Sequence, residues 1–403
     1  MNSESTISYN KKSVSDVQVR GKKVLLRCDF NVPLDKETGA ITDEGRIIAA
    51  LPTIKYLIEH GAAVIACSHF GRPKGEFKPE FSLAPVAESL AKHLGQPVKM
   101  AKDVIGPDAV KLAEELQPGE VMLLENTRFH KQEEKNDPEF AKKLADMAEI
   151  FVSDAFGSVH RAHASTVGVS AYLPAISGFL LKKELDYIGG AISDPKRPLV
   201  TILGGAKVSD KLGVIDNLIK IADTIIIGGG MAYTFIKAEG GKIGNSLCQD
   251  NEIEAVLEMK EKALKRGVKL LLPHDTIAAA EFSNDAEPVI VETCAIPDDM
   301  MGLDIGPETV KVFISEIKGA GTIVWNGPMG VFEFSKFAGG TRAIANAVAE
   351  SGAVSIIGGG DSAAAIRQFG LEDRITHIST GGGASLEFME GKELPGIACL
   401  LDA

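Results

Sequence analysis

"SIIGGGDSAAAIRQFG" (residues 355–370) places an apolar run before three glycines, an aspartate and a run of alanines. A run that is apolar at successive positions, without alternation, fits a strand covered on both faces of a parallel sheet. The alanine-rich stretch after the turn fits a helix, so its first amides point back at the turn and could hold an oxyanion. Asp361 reads there either as an acidic N-cap, stabilising through hydrogen bonding and the helix dipole, or as a ligand for a metal.

Working outward, "HISTGGGASLEFMEG" (377–391) repeats the arrangement, and two amide-rich turns could converge on one phosphate. Short apolar runs recur upstream in "KVLLRCDF", "AAVIACSHF", "VMLLENTRF", "EIFVSDAFG", "PLVTILGGA", "TIIIGGG", "VKLLLPHD" and "GTIVWNGP", with helix-length amphipathic segments between them. Alternating strands and helices predict an α/β fold with parallel sheets. A chain of 403 residues exceeds one ordinary domain, so two are expected. The joint falls in "FLLKKELDYIGGAISDPKRPLV" (179–200), which reads as a helix over about 179–193 and a break at "SDPKRP". The expected domains are therefore 1–185 and 194–385, with 386–403 as a tail returning to the first.

Acidic residues outnumber basic ones by 55 to 43, for a net charge of −12, so no broad basic face for nucleic acid or anionic lipid is expected. Any anion must be met by a local cluster. Cys28, Cys67, Cys248, Cys294 and Cys399 are scattered without a C-x-x-C pair, which points to neither a disulfide framework nor a zinc knuckle and suits a reducing cytosol. The N-terminal segment lacks the apolar core of a signal peptide, and no apolar run approaches the length of a membrane span.

Nearly every apolar run ends on glycine or a polar residue, and open α/β sheets bind ligands just beyond the carboxyl ends of their strands. The first half supplies Arg27, Arg46, His69, Arg72, Arg128 and Arg161 at or near such ends, and "GSVHRAHAST" (157–166) adds His160 and His163. A lone loop arginine is usually solvated, but several at strand ends suit a small, highly charged anion. Asp29 and Asn31 in "CDFNVP" could meet hydroxyls or form an Asx turn before Pro33. The second half instead supplies glycines, carboxylates, Lys207 and Lys211, a set suited to a nucleotide's phosphates. Solvated surface lysines would explain Lys207 and Lys211 as well. The apolar loop "WNGPMGVFEFSKFAGGT" (325–341) packs against either a nucleoside or the protein's own core.

"GGGDSA" from Gly358 also satisfies the loose G-x-G-x-x-A pattern of dinucleotide sites, but the next strand, "ITHIST", ends without the carboxylate that would hold a ribose. No G-x-x-x-x-G-K-[ST] is present, which excludes a Walker-type phosphate loop.

With these residues assembled, the chain resembles the phosphoglycerate kinase family from about Val24 to Ala384. The motifs are "DFNVP", "HFGRP", "ENTRFH", "HRAHAS", "GGAKVSDK", "IGGGMAYTF", "LDIGPET", "WNGPMGVFE", "GGGDS" and "STGGGASLE". The resemblance implies a cytoplasmic, glycolytic monomer of two Rossmann-like three-layer domains joined by a hinge helix. Its reaction would be reversible, direct in-line phosphoryl transfer from 1,3-bisphosphoglycerate to ADP with Mg2+, after hinge closure, giving 3-phosphoglycerate and ATP. By motif, Asp29, Phe30, Asn31, Arg46, His69, Phe70, Gly71, Arg72, Arg128 and Arg161 would hold 3-phosphoglycerate, with Arg27, His160 and His163 completing the basic patch. Gly204, Gly205, Lys211, Gly228, Gly302, Asn326, Glu333, Gly359, Gly360, Asp361 and Ser362 would line the nucleotide site, with Asp361 on magnesium. Arg46, Lys207, Gly360 and Gly382 would serve the migrating phosphoryl group. "GSVHRAHAS" stands where "GTAHRAHAS" is more usual, and Ser362 replaces a common threonine; neither touches a charged position. The competing expectation, a catalytically inactive phosphosugar- or nucleotide-binding protein on the same fold, is opposed by intact Arg46, Lys207 and Asp361.

Overall fold

Apolar runs that do not alternate become strands buried on both faces. In the computed structural model, which describes residues 9–35 and 37–403, β1 (Lys23–Arg27), β2 (Ala63–Cys67), β3 (Val98–Met100), β4 (Val121–Leu123), β5 (Ile150–Ser153) and β6 (Ala175–Ser177) form one parallel sheet. Their order is β3-β4-β2-β1-β5-β6. Chain progress reverses between β1 and β5, which pair from Val24↔Ile150 to Arg27↔Ser153. In open α/β sheets such a reversal is where ligands bind, beyond the carboxyl ends of the strands.

A second sheet repeats the plan. β7 (Leu199–Leu203) and β8 (Thr224–Ile227) begin it, and β9 (Lys242–Ile243) leaves it for a small two-stranded pairing. β10 (Lys269–Leu271) returns, followed by an excursion through β11 (Asp275–Ala279), β12 (Val289–Glu292), β13 (Ala295–Ile296) and β14 (Met301–Ile305). β15 (Thr322–Asn326), β16 (Val354–Gly358) and β17 (His377–Ile378) complete the order β10-β8-β7-β15-β16-β17. This is the doubly wound order, with its reversal between β7 and β15, paired through Leu203↔Asn326. The α/β architecture with two parallel six-stranded sheets matches the expected class. The three-stranded antiparallel sheet β12-β11-β14 was not expected.

The chain divides into two units, one running to Asp186 and including Glu393–Ala403, the other Tyr187–Lys392. The division falls inside a continuous helical stretch, Phe179–Glu184, Leu185–Gly189 and Gly190–Ser193, whose middle segment is a π-helical turn. Its start is tied to the first unit: Thr53 Oγ1 accepts the Phe179 amide at 3.0 Å and Asp154 Oδ1 accepts the Leu181 amide at 3.1 Å. The tail joins the first unit at Glu393 rather than 386. Helix Gly383–Met389 stays with the second unit because it packs on helix Leu212–Leu218, where Asn217 Nδ2 donates to the Met389 carbonyl at 2.8 Å. Beyond it, the Leu401 amide donates to the Ala175 carbonyl at 2.9 Å.

Candidate functional site

In the first unit, Arg27 closes β1 with its side chain 1% exposed. It spends its donors inward: Nε on Ser165 Oγ at 2.8 Å, Nη1 on the Cys28 carbonyl, and Nη2 on His69 Nδ1 at 3.1 Å. Arg46, on helix Gly45–Glu59, donates from Nη1 to Asp29 Oδ1 at 2.6 Å, and the same carboxylate oxygen accepts the Asn31 amide at 3.1 Å. Asn31 Oδ1 accepts the Gly71 amide at 2.9 Å, and Gly71 in turn offers its carbonyl to Arg128 Nη1 at 2.9 Å. Asn126 fixes this corner, since its Oδ1 accepts both the Phe70 and the Arg128 amides at 3.0 Å.

The charges converge. Burial first, then Arg27, Arg128, Arg46 and His163, hold His69 well below the usual imidazole pKa. His163 is pushed down to about 4 by burial, Arg128, Arg27, Arg161 and His160. The imidazoles are thus neutral near pH 7 and offer hydrogen-bond groups, while the arginines carry the positive charge. Arg161 is exposed, with Nε donating to His160 Nε2 at 3.0 Å. Arg72 is exposed and makes no hydrogen bond or ion pair among the described residues. Phe30 and Phe70 belong to the hydrophobic core, so only their backbone is at hand for a ligand.

In the second unit, a cavity of about 500 Å3 opens at the carboxyl ends of β7, β15 and β16, at the reversal of strand order. Its size is ordinary for a small-molecule site. Gly204, Gly205, Lys207, Lys211, Asn326, Gly359, Gly360, Asp361, Ser362 and Gly382 line it, joined by Ala206, Asp210, Gly327, Gly383 and Leu386. Lys211 Nζ, 7% exposed as a residue, donates to Asn326 Oδ1, and burial lowers its pKa to about 8 against the pull of Asp210 and Asp361. Lys207 is exposed on the cavity wall and makes no hydrogen bond or ion pair among the described residues. Ser362 turns its hydroxyl inward, accepting the Gly327 amide at 2.6 Å.

Three residues expected at this site lie outside the cavity lining. Gly228 follows β8, with its amide on the Leu203 carbonyl at 2.8 Å; Gly302 sits in β14; Glu333 is exposed on the following loop. The aromatic character of 325–341 belongs to the core, because Trp325 and Phe337 are 0% exposed and Phe332 is 4% exposed. Ala206, Asp210, Gly327, Gly383 and Leu386 went unassigned in the sequence, although each falls within a motif whose neighbours were singled out. Among the described residues, no helix is long and apolar enough to cross a membrane.

Comparison with known proteins agrees with this layout. The family model described as phosphoglycerate kinase matches residues 14–392. A phosphoglycerate kinase of Clostridium botulinum (strain Hall) is 58% identical over 399 residues, covering 98% of this chain and 100% of the relative. The solved phosphoglycerate kinase of Coxiella burnetii superposes with a TM-score of 0.90 at 45% identity, over 96% of this chain and 98% of that one. That of Pyrococcus horikoshii OT3 gives 0.81 at 34%, with the same coverage. Two doubly wound units, one carrying an arginine cluster and the other a cavity lined by glycine turns, together with this match along almost the whole length, make the chain a member of the phosphoglycerate kinase family.

Proposed function

We propose that this chain catalyses reversible phosphoryl transfer from 1,3-bisphosphoglycerate to ADP, giving 3-phosphoglycerate and ATP. The observation that carries the reading is the cavity gathering Lys207, Lys211, Asn326 and Asp361 at the strand-order reversal of the second sheet. The arginine cluster of the first unit is assigned to 3-phosphoglycerate and the cavity to the nucleotide phosphates. A coupled assay with 3-phosphoglycerate and MgATP tests this; a pure, folded protein that shows no turnover refutes it.

In the direction of ATP consumption the attacking group is a carboxylate with an ordinary pKa near 3.5, already ionised at neutral pH, so no general base is required. The obstacle is repulsion between anions and the charge spread over the moving group. Arg46, Lys207 and the amides opening helix Gly360–Gln368 supply positive potential against it. A monomer whose two units close about the helical stretch 179–193, bringing the ligands together and excluding water, belongs to the same reading. All five cysteines are free, which supports work in a reducing cytoplasm.

Asp361 opens the first turn of Gly360–Gln368 on the cavity wall and fits Mg2+ carried in on nucleotide phosphates, since this ion keeps most of its waters and takes only one or two protein carboxylates. Among the described residues no cluster of three or more His, Cys, Asp or Glu forms a dedicated metal cage. When bound, the ion neutralises phosphate charge.

Two expected results follow from this assignment. Arg161→Ala removes a contact to ground-state phosphate, so the KM for 3-phosphoglycerate rises about tenfold while kcat and the KM for MgATP hold. If only the MgATP KM moves in steady-state kinetics, the assignment of ligands to units is reversed. The second concerns Lys211, whose pKa of about 8 means that it loses its proton in the free protein as pH rises through that value. Phosphates bind the protonated form, so nucleotide affinity falls above about pH 8 and binding takes up a proton there. Calorimetry at pH 8.5 in two buffers of different ionisation enthalpy reads that uptake, and Lys211→Arg abolishes it. Equal heats in both buffers for the parent would exclude it.

A further inference from the structure

Behind the arginine cluster runs a line of buried side chains joined by hydrogen bonds. Glu133 and Ser165 are 0% exposed, Arg27 1% and His69 8%. Glu133 Oε2 accepts the Ser165 amide at 3.0 Å, and its Oε1 accepts the Ser165 hydroxyl at 2.5 Å. Ser165 Oγ accepts Arg27 Nε at 2.8 Å, and Arg27 Nη2 meets His69 Nδ1 at 3.1 Å.

The direction of each bond is fixed by donor and acceptor inventory. A guanidinium only donates, so Nδ1 of His69 must present its lone pair, and the hydrogen of the neutral ring sits on Nε2. A hydroxyl has one hydrogen; Ser165 gives it to Glu133 and therefore offers a lone pair to Arg27. Both carboxylate oxygens of Glu133 receive donors from Ser165, and Arg27 donates both ways, to Ser165 Oγ on one side and to His69 Nδ1 on the other. At the far end, His69 Nε2 has no protein partner among the described residues, and the ring stands in the arginine cluster.

We infer that Glu133 is a positioning residue: by taking the Ser165 hydroxyl hydrogen it holds that oxygen as the acceptor for Arg27 Nε, and so orients the guanidinium whose Nη2 fixes His69 as the Nε2–H tautomer, a donor held ready for an anionic oxygen of the substrate. Its link to a phosphoglycerate ligand rests on the kinase reading, whereas the tautomer does not. Glu133→Gln removes the acceptor of the Ser165 hydroxyl without changing shape. With the one remaining acceptor oxygen on the Ser165 amide, the new NH2 faces Ser165 Oγ, leaves the hydroxyl hydrogen without its acceptor and loosens the oxygen against which Arg27 Nε is held. Ser165→Ala cuts the line at the middle for the loss of one hydroxyl.

The test is carbon-13 and nitrogen-15 NMR of histidine-labelled, ligand-free full chain, with the His69 signal assigned by its loss in His69→Gln. Kinetics of the Glu133→Gln and Ser165→Ala variants accompany it. The parent should show the Nε2–H tautomer, and both variants a shift toward Nδ1–H. Both should also raise the KM for 3-phosphoglycerate about tenfold with the KM for MgATP unchanged. A parent in the Nδ1–H form, a tautomer shift without the selective KM change, the KM change without the shift, or equal rises in both KM values each overturns the proposal. If Glu133→Gln fails to fold, Ser165→Ala decides. A parent without turnover would refute the kinase reading, and the tautomer measurement alone would then judge the positioning role.

Discussion

Lys207→Ala is expected to lower kcat by about 100-fold or more, the usual cost of losing one transition-state donor, while the KM for MgATP and the thermal midpoint stay near those of the parent. The two cavity lysines differ in a way that makes this specific. Lys211 is buried and bound to Asn326, so it belongs to the framework of the site as much as to its ligand. Lys207 lies exposed on the same wall with no hydrogen bond or ion pair among the described residues. An uncommitted ammonium on a flexible stem contributes nothing measurable to folding and can follow charge as it moves. Interactions stronger in the transition state than in the ground state appear in kcat, so that is where the loss should fall. A rate within about threefold of the parent would remove Lys207 from the reaction, because a missing donor of this kind costs far more than that.

Much of this was legible from residue order alone, for identifiable reasons. Strands covered on both faces, such as β2 with all five residues buried, are continuous apolar runs and stand out. The two edge strands β3 and β6 run only three residues each, and β3 is only half-buried, so neither produced a recognisable run. The antiparallel excursion was hidden differently: β12 leaves three of its four residues exposed, and a small, half-wet sheet has no continuous apolar signature. Glycine-turn residues lining the cavity were readable because the strand-turn-helix pattern itself places them at strand ends.

The first-unit cluster was legible in its charges and illegible in its support. Glu133 lies in "KQEEKN", a wholly polar stretch of mixed charge, yet it is 0% exposed. Nothing local distinguishes it from Glu134 beside it; only the return of Ser165 from 32 residues away buries and engages it. Charge state was equally hidden. His69 and His163 look like members of a cationic patch, but burial beside arginines keeps them neutral, so they supply directed hydrogen bonds where the sequence suggested charge.

Gly327→Ala is expected to disrupt the second-unit site from its foundation. Gly327 has φ +102°, which side chains rarely adopt, and a Cβ there would stand 2.1 Å from the Gly204 carbonyl oxygen. The crowding is reciprocal, since a Cβ on Gly204 would meet the Pro328 carbonyl oxygen at 2.1 Å. These two strand-end turns interlock through Gly204 amide to Asn326 carbonyl at 3.0 Å and Gly205 amide to Pro328 carbonyl at 3.1 Å. Backbone has no rotamer with which to yield, so a methyl group can be admitted only by moving β7 and β15 apart at their carboxyl ends. Strain at a left-handed position together with that displacement costs about 3 kcal/mol or more, or roughly 6–12 °C in the midpoint of a unit this size. Nucleotide affinity should fall with it, because the same turns line the cavity, whereas the arginine cluster lies on a separate sheet and should still bind 3-phosphoglycerate. Calorimetric melting with separate titrations of the two ligands reads all three quantities. A Gly327→Ala protein that melts like the parent and binds MgADP as well would show that the turns do not interlock as described.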